Sequence, residues 1–283
     1  MLEQVLVNGL SLSAMYVIIA LGLSLVMGIM DILNFTHGVM IMLGAFGLYI
    51  LVELLHINYV LSALTAILLV GAIGMVIERT ILHKIRRDHL ICLLVTIGLA
   101  TAIEGSALLC FGTRDRGITS ITPGLLRRWG ITITYDRVVI IAAAALLVSG
   151  LWAFMQWSKP GRAMRAVTQN ADAALLQGID VDRITSLAMF IGSAFAAAAG
   201  VLMAPITVLN PYMGFPPLLK AFVVIVLGGL GSLPGSILGG LILGMLDSIA
   251  GSYLQIEIAS IVGFVMMVFI LIIKPSGLMG KKL

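Results

Sequence analysis

Nine apolar runs, at about 5–30, 38–55, 59–80, 90–111, 137–157, 184–208, 218–232, 235–252 and 256–273, fill most of this chain and decide what it can fold into. A membrane-crossing helix needs roughly 20 apolar residues, and most of these runs reach or approach that length. The seventh and eighth are short and separated only by Leu233 and Pro234. They read as two spans or as one broken helix with a re-entrant turn. Of the 283 residues, 60% are hydrophobic and 11% charged, whereas a soluble domain carries about 25% charged residues. That balance excludes a soluble globular enzyme and a disordered chain alike. The expectation is an all-α polytopic membrane protein, one transmembrane domain over 1–283. It should have about eight transmembrane helices, with eight or nine crossings or half-crossings.

The first run is not read as a signal peptide. It is too long, and only Glu3 precedes it where a basic segment is required. Cys92 and Cys110 lie 18 residues apart in one run, roughly 27 Å along a helix, too far to be bonded. The net charge of +4 reflects the Lys and Arg of cytoplasmic loops, not a nucleic-acid partner. With the loop at 81–89 cytoplasmic, 158–183 and the C-terminus share its side, which then holds 11 of the 17 Lys and Arg. The N-terminus is expected outside and the C-terminus inside, provided that 218–232 and 235–252 both cross. Arg114, Arg116, Arg127, Arg128 and Arg137 run against this bias. In the external loop at about 112–136, the alternation from Ile131 to Tyr135 allows a hairpin, although a solvated loop is the favoured reading.

No catalytic motif is present. The chain lacks G-x-x-x-x-G-K-[ST], H-E-x-x-H and C-x-x-C. His37, His56, His83 and His89 do not have metal-ligand spacing. No catalytic residue, metal or cofactor is expected in this chain, and any ATP is held by another subunit.

The most informative polar stretch is 158–183, expected to be cytoplasmic. Pro160 and Gly161 should end the preceding span. Residues 162–177 lack Pro and Gly and are rich in Ala, which predicts a short helix. Met164, Val167, Ala171 and Leu175 share one face of it, and Arg162, Arg165, Gln169 and Asp172 the other. Leu176 falls on the polar face as an apolar knob, and Gly178 is placed as a left-handed stop. Such a helix either lies on the membrane surface or docks a cytoplasmic partner. The knob favours docking.

The pattern Gly161-Arg162-x-x-Arg165-Ala166-x-x-x-Asn170-x-x-x-Ala174-x-x-x-Gly178-Ile179 resembles the coupling segment of ABC importer permeases of the branched-chain amino-acid (LivH) type. Asn34-Phe-Thr-His-Gly38 followed by Met42-Leu-Gly-Ala45 resembles two further elements of that family. So does the late segment, with Lys220-Ala-Phe222, Leu227-Gly-Gly-Leu-Gly-Ser-Leu-Pro-Gly235 and Leu238-Gly-Gly240. The departures are Thr36, where Ala is commoner, and Asp247, near where Glu is frequent. The resemblance implies a bacterial inner-membrane importer that works by alternating access. Its other parts would be a second related permease, two cytoplasmic ATPase subunits, and a periplasmic or lipid-anchored binding protein that delivers a small solute. Branched-chain amino acids are the leading solutes, with urea and short amides as an alternative.

Pathway candidates come from polar groups among apolar runs. Asn34 or Thr36 can cap the second helix and Gly38 permits a sharp entry. With His37 this stretch is a candidate gate, because a helix N-terminus can face a carboxylate. A capped short loop is the plainer reading. Gly239, Gly240 and Gly244 read first as close helix packing, and the glycines around Pro234 as a break. Glu104 and Asp247 lie inside runs, where a carboxylate costs about 2.5–3.5 kcal/mol. Each is a pathway candidate or a paired structural group. Glu53 and Glu78 read as interfacial. A rival function is a self-sufficient secondary transporter or channel that couples through Glu104 and Asp247.

Overall fold

The computed structural model describes residues 2–86, 88–120, 124–128, 131–253, 256–274 and 276–280. Arg87, Lys281 and Lys282, which count toward the charge bias, lie outside them. Helix α1 (Leu2–Met30) is followed by α2 (Thr36–Tyr49), which runs into a π-turn at Ile50–Leu54. Helix α3 (Tyr59–Ile77) continues through a π-turn at Glu78–Leu82 into the short α4 (His83–Ile85). Helix α5 (His89–Phe111) leads to the hairpin β1 (Leu125–Arg128) and β2 (Ile131–Thr134). Then come α6 (Tyr135–Trp157), α7 (Lys159–Gln169), α8 (Ala171–Leu176) and α9 (Val181–Met203). The chain ends with α10 (Phe215–Gly228), α11 (Leu233–Tyr253) and α12 (Ile256–Ile273). The nine apolar runs thus become nine helices, seven of them long and apolar enough to cross a membrane by length and composition. The chain is a polytopic, helical membrane protein.

Local chemistry sets several helix starts. Asn58 accepts from Val60 N at 3.0 Å, Asp88 from Leu90 N and Ile91 N at 3.0 Å, and Asp180 from Arg183 N at 3.0 Å. Each satisfies amides that a helix N-terminus leaves free. Helices α1 and α9 are buried along most of their length, and α3, α5 and α6 form the periphery. Small residues bring the central backbones together, as expected of the late glycines. A Cβ on Gly244 would collide with Ser13 of α1, and one on Gly200 with the Ile41 carbonyl of α2. Without water to drive association, close packing and hydrogen bonds hold such helices together. Ser13 Oγ donates to Leu241 O at 3.1 Å and Ser248 Oγ to Val5 O at 2.7 Å, both across the α1–α11 seam.

Contacts sort the loops into two ends. At one end, Thr119 N donates to Glu53, Arg116 pairs with Leu209, and Gln4 bonds Thr132. At the other, His89 faces Asp31, Arg86 pairs with Asp182, and Leu278 N and Met279 N bond the last turn of α10. These are the two sets of loops that the charge bias separates. Helices α10 and α11 are two antiparallel helices and not one broken helix. They are joined through Gly229 (φ 106°) and Gly231 (φ 72°), with Pro234 inside the first turn of α11. The 14 residues of α10 span about 21 Å, short of the roughly 30 Å hydrocarbon core.

Several expectations need correction. The favoured solvated loop before α6 is an antiparallel hairpin, with Leu125 opposite Thr134. Arg116 lies over the rings of Tyr49 and Phe111 and donates to Tyr49 OH at 3.0 Å and Phe111 O at 2.9 Å. It is a structural cation, which explains one exception to the charge bias. Glu78, at the end of α3, is fully buried against protein and accepts from Ser186 Oγ. The reversal before α2 is made by Asp31 at φ 53°, not by Gly38.

Candidate functional site

Two cavities flank α1, one toward each end of the bundle. The first, about 490 Å³, lies among the N-terminal half of α1, the starts of α6 and α10, and the ends of α9 and α11. Its wall reaches Ile19. The second, about 470 Å³, starts at Leu21 and lies against the ends of α1 and α6, the α10–α11 turn and helix α7. On α1 only the stretch from Ile19 to Leu21 separates them. That stretch is almost wholly buried.

The first cavity holds an ion pair. Lys220 Nζ lies 2.8 Å from Asp247 Oδ2, with the two side chains 15% and 10% exposed. Tyr16 OH donates to the same carboxylate oxygen at 2.7 Å. Asp247 Oδ1 has no hydrogen-bond partner among the described residues. Arg137 stands at the mouth and donates to Asn8. Asp247 is therefore a paired carboxylate that also lines a cavity. Sequence reading missed its partners, because Lys220 sits on α10 and Tyr16 far away on α1. Lys220 was itself a usable signal: a cation in an apolar run calls for a partner as strongly as an anion does.

Glu104 is placed differently. It is half-buried on α5, which shows most of its length to the outside of the bundle, and it lines neither cavity.

The stretch before α2 is irregular backbone, exposed at Asp31 and Leu33 and buried at Ile32 and Asn34. Asn34, Thr36 and His37 are all buried. Asn34 Oδ1 accepts from Thr36 N at 3.0 Å and Thr36 Oγ1 at 2.5 Å, and its amide reaches Met189 Sδ at 3.5 Å. Asn34 thus satisfies the first amide of α2, while the cap position itself is Phe35, which makes no side-chain cap hydrogen bond. His37 Nε2 meets Ile19 O at 3.1 Å, directly behind the wall between the cavities. Gly38 packs against Gly214 and Leu218, where a Cβ would find its nearest atoms at 3.0 Å. None of the four lines either cavity.

The segment after α6 is two helices, not one. Pro160 and Gly161 start α7 instead of merely ending α6, and Ser158 caps α7 by accepting from Gly161 N at 2.9 Å. Gly161 is packed so tightly under α6 that a Cβ would lie 2.6 Å from Met155 Cα. The expected helix over 162–177 breaks at Asn170, which is extended and caps α8 by accepting from Ala173 N at 2.9 Å. A polar side chain able to bond the amide three residues on competes with helix continuation. The break shifts the buried face. Met164 and Val167 are buried as expected, but Ala174 replaces Ala171 and Leu175 beyond it. Leu176 is 86% exposed, the knob anticipated from sequence.

Gly178 has φ 80°. Gly178 N bonds Leu175 O at 2.9 Å and Ile179 N bonds Ala174 O at 3.1 Å, the paired bonds of a left-handed helix stop. Ala166 packs on the core, Arg162 is exposed, and Arg165 donates to Gln156. Arg165, Thr168 and Gln169 also line the second cavity. One face of α7 therefore lines a cavity, while α8 directly after it presents Leu176 outward.

Comparison with known proteins gives a consistent picture. A family described as branched-chain amino acid transport system / permease component matches residues 5–271. The chain is 34% identical to the high-affinity branched-chain amino acid transport system permease protein LivH of Salmonella typhimurium, over 98% of this chain and 95% of that one. It is 33% identical to the corresponding permease protein BraD of Pseudomonas aeruginosa, over 98% and 95%. To the permease protein LivM of Escherichia coli it is 26% identical, over 95% of this chain and 68% of that one. No solved structure matches.

Proposed function

We propose, from the premise that this chain belongs to the branched-chain amino acid transport permease family, that it is the membrane-spanning subunit of an ATP-driven importer of branched-chain amino acids. It would sit in a bacterial inner membrane beside a second, related permease. The likeness to both LivH and LivM proteins supports such a pairing. Two cytoplasmic ATPase subunits would hold ATP, for which this chain has no phosphate loop of its own. A binding protein would deliver the solute to the end that carries the hairpin.

The observation that carries this reading is the double role of the segment after α6. Its α7 face forms part of the second cavity, and its α8 end exposes Leu176 beside the Gly178 stop. An apolar knob on a short helix suits a groove on a partner. Force applied there moves the wall of the cavity at that end, and the thin barrier at Ile19–Leu21 separates it from the other. Alternating access then means opening one cavity as the other closes.

The test is uptake of L-leucine into vesicles containing the purified complex, with and without ATP and the ATPase subunits, against urea and acetamide. ATP-dependent leucine uptake is expected. Uptake that ignores the ATPase subunits and follows a proton gradient would establish the secondary transporter instead.

A further inference from the structure

We propose that the second cavity is a cytoplasmic-side site for a small aliphatic carboxylate, held by Arg165 of α7, and that its occupation slows transport. The inference rests on the permease reading above for the side to which this cavity opens and for the cycle that it slows.

Three observations meet here. Arg165 is the single charged side chain among the described residues that line this cavity of about 470 Å³, a size suited to a small organic ligand. It donates to the neutral amide of Gln156 on α6 and pairs with no carboxylate among the described residues. A guanidinium has five N–H donors, so donors remain for a carboxylate, which arginine binds through two parallel hydrogen bonds.

Ser24 is the second. It is fully buried, lines the same cavity, and its Oγ has no hydrogen-bond partner among the described residues. Ser11, Ser106, Ser149 and Ser252 each donate to the carbonyl four residues back. Ser24 does not, although α1 continues through it, and a buried hydroxyl left alone is costly. A ligand oxygen in the cavity supplies the missing acceptor. The depth is suitable. Gly28 lies against Thr168 of α7, and Ser24 is one turn deeper, about 6 Å along α1.

The third is the remaining wall. Leu25, Val148, Leu151, Met155 and Ile237 suit an aliphatic body. The other polar side chains there, Gln156, Thr168, Gln169 and Ser232, are uncharged. Thr168 Oγ1 donates to Met164 O at 2.9 Å, and Ser232 Oγ accepts from Gly235 N at 3.2 Å. One cation without an anion matches a carboxylate and not an amine. Two sources share that chemistry: the released amino acid, and the 2-oxo acid left when it loses its amino group. Either binds while the cavity is open, and so shifts the population toward that state.

The experiment uses the whole complex in bilayer discs of phosphatidylethanolamine and phosphatidylglycerol, with Ser232→Cys in a Cys92→Ser, Cys110→Ser permease. The rate of modification by an impermeant thiol reagent is measured with L-leucine, 4-methyl-2-oxopentanoate or 3-methylbutylamine present and the binding protein omitted. Both acids are expected to slow modification, and the one acting at lower concentration identifies the source. The amine should need about tenfold higher concentration or more, the worth of a hydrogen bond to a charged group. Arg165→Gln should raise the protecting concentration of both acids by a similar factor. Ser24→Ala breaks no hydrogen bond among the described residues, so it should keep the melting temperature while weakening protection by about twofold to tenfold. Vesicles preloaded with 4-methylpentanoate should take up leucine more slowly than empty ones. Equal protection by amine and acids, protection unchanged in both variants, or uptake indifferent to preloading overturns the proposal. Protection in detergent that vanishes in bilayers gives the cavity to lipid and overturns it too. Intact protection without ATP-dependent uptake overturns the permease reading instead.

Discussion

Lys220 on α10 and Asp247 on α11 face each other at 2.8 Å, beneath Tyr16 of α1. Removing one member breaks a buried ion pair, at a cost of about 3–5 kcal/mol. Asp247→Asn and Lys220→Gln alone should each lower the melting temperature of the purified permease in detergent. The double variant should recover most of that loss, since directly interacting residues are not additive. Losses that simply add would show that the two charges are uncoupled.

Leu176→Asp and Gly178→Val should leave the permease inserted but weaken recovery of the ATPase subunits or uncouple hydrolysis from uptake. Gly178 holds φ 80°, a conformation that costs a residue with a Cβ roughly 1–2 kcal/mol. Pull-down from detergent followed by vesicle uptake reads both effects. Wild-type recovery and uptake in both variants would remove α8 as the docking element.

Gly161 and Gly98 make a matched pair. A Cβ at Gly161 meets the last turns of α6, while at Gly98 on α5 it meets nothing within 4 Å. Gly161→Ala should destabilise by about 1–3 kcal/mol through overpacking. Gly98→Ala should be neutral or stabilising by up to about 1 kcal/mol through helix propensity. Thermal melting in detergent separates them, and similar melting temperatures for the two variants would refute the tight α6–α7 corner.

Sidedness can be checked with single cysteines in the Cys92→Ser, Cys110→Ser background. Asn170→Cys should react with an impermeant reagent only from the cytoplasmic side and Ser120→Cys only from outside, as the charge bias requires. Reaction of position 170 from outside would invert the topology.

Glu104 and Asp247, equivalent as sequence, now separate. Glu104 lines neither cavity, whereas Asp247 lines the first. Glu104→Gln should keep leucine uptake near the wild-type level, and Asp247→Asn should reduce it by about tenfold or more. Equal losses in the two variants would restore Glu104 as a pathway residue.

Much of this was legible before any coordinates. The nine apolar runs and the breaks between them follow from hydropathy, because each helix satisfies its own backbone in lipid and its length must match the bilayer. The left-handed stop at Gly178 and the exposed Leu176 follow from local backbone chemistry and helical spacing. Asn170 illustrates the limit of such reading. Its side chain caps the helix that follows it and ends the one before, and propensity averaged over 162–177 conceals that choice.

What hydropathy, capping and spacing act on is local, so the sequence by itself determined the helices, their order and the sorting of loops by charge. Pairing is not local. Whether Asp247 or Glu104 meets a cation depends on which helices become neighbours, and that is set by close contacts such as Ser13 with Gly244. Only the tertiary structure decided that Lys220, Asp247 and Tyr16 share a cavity and that His37 lies behind its wall. It also decided that α7 lines the second cavity, because each of these results from packing between segments distant in the chain.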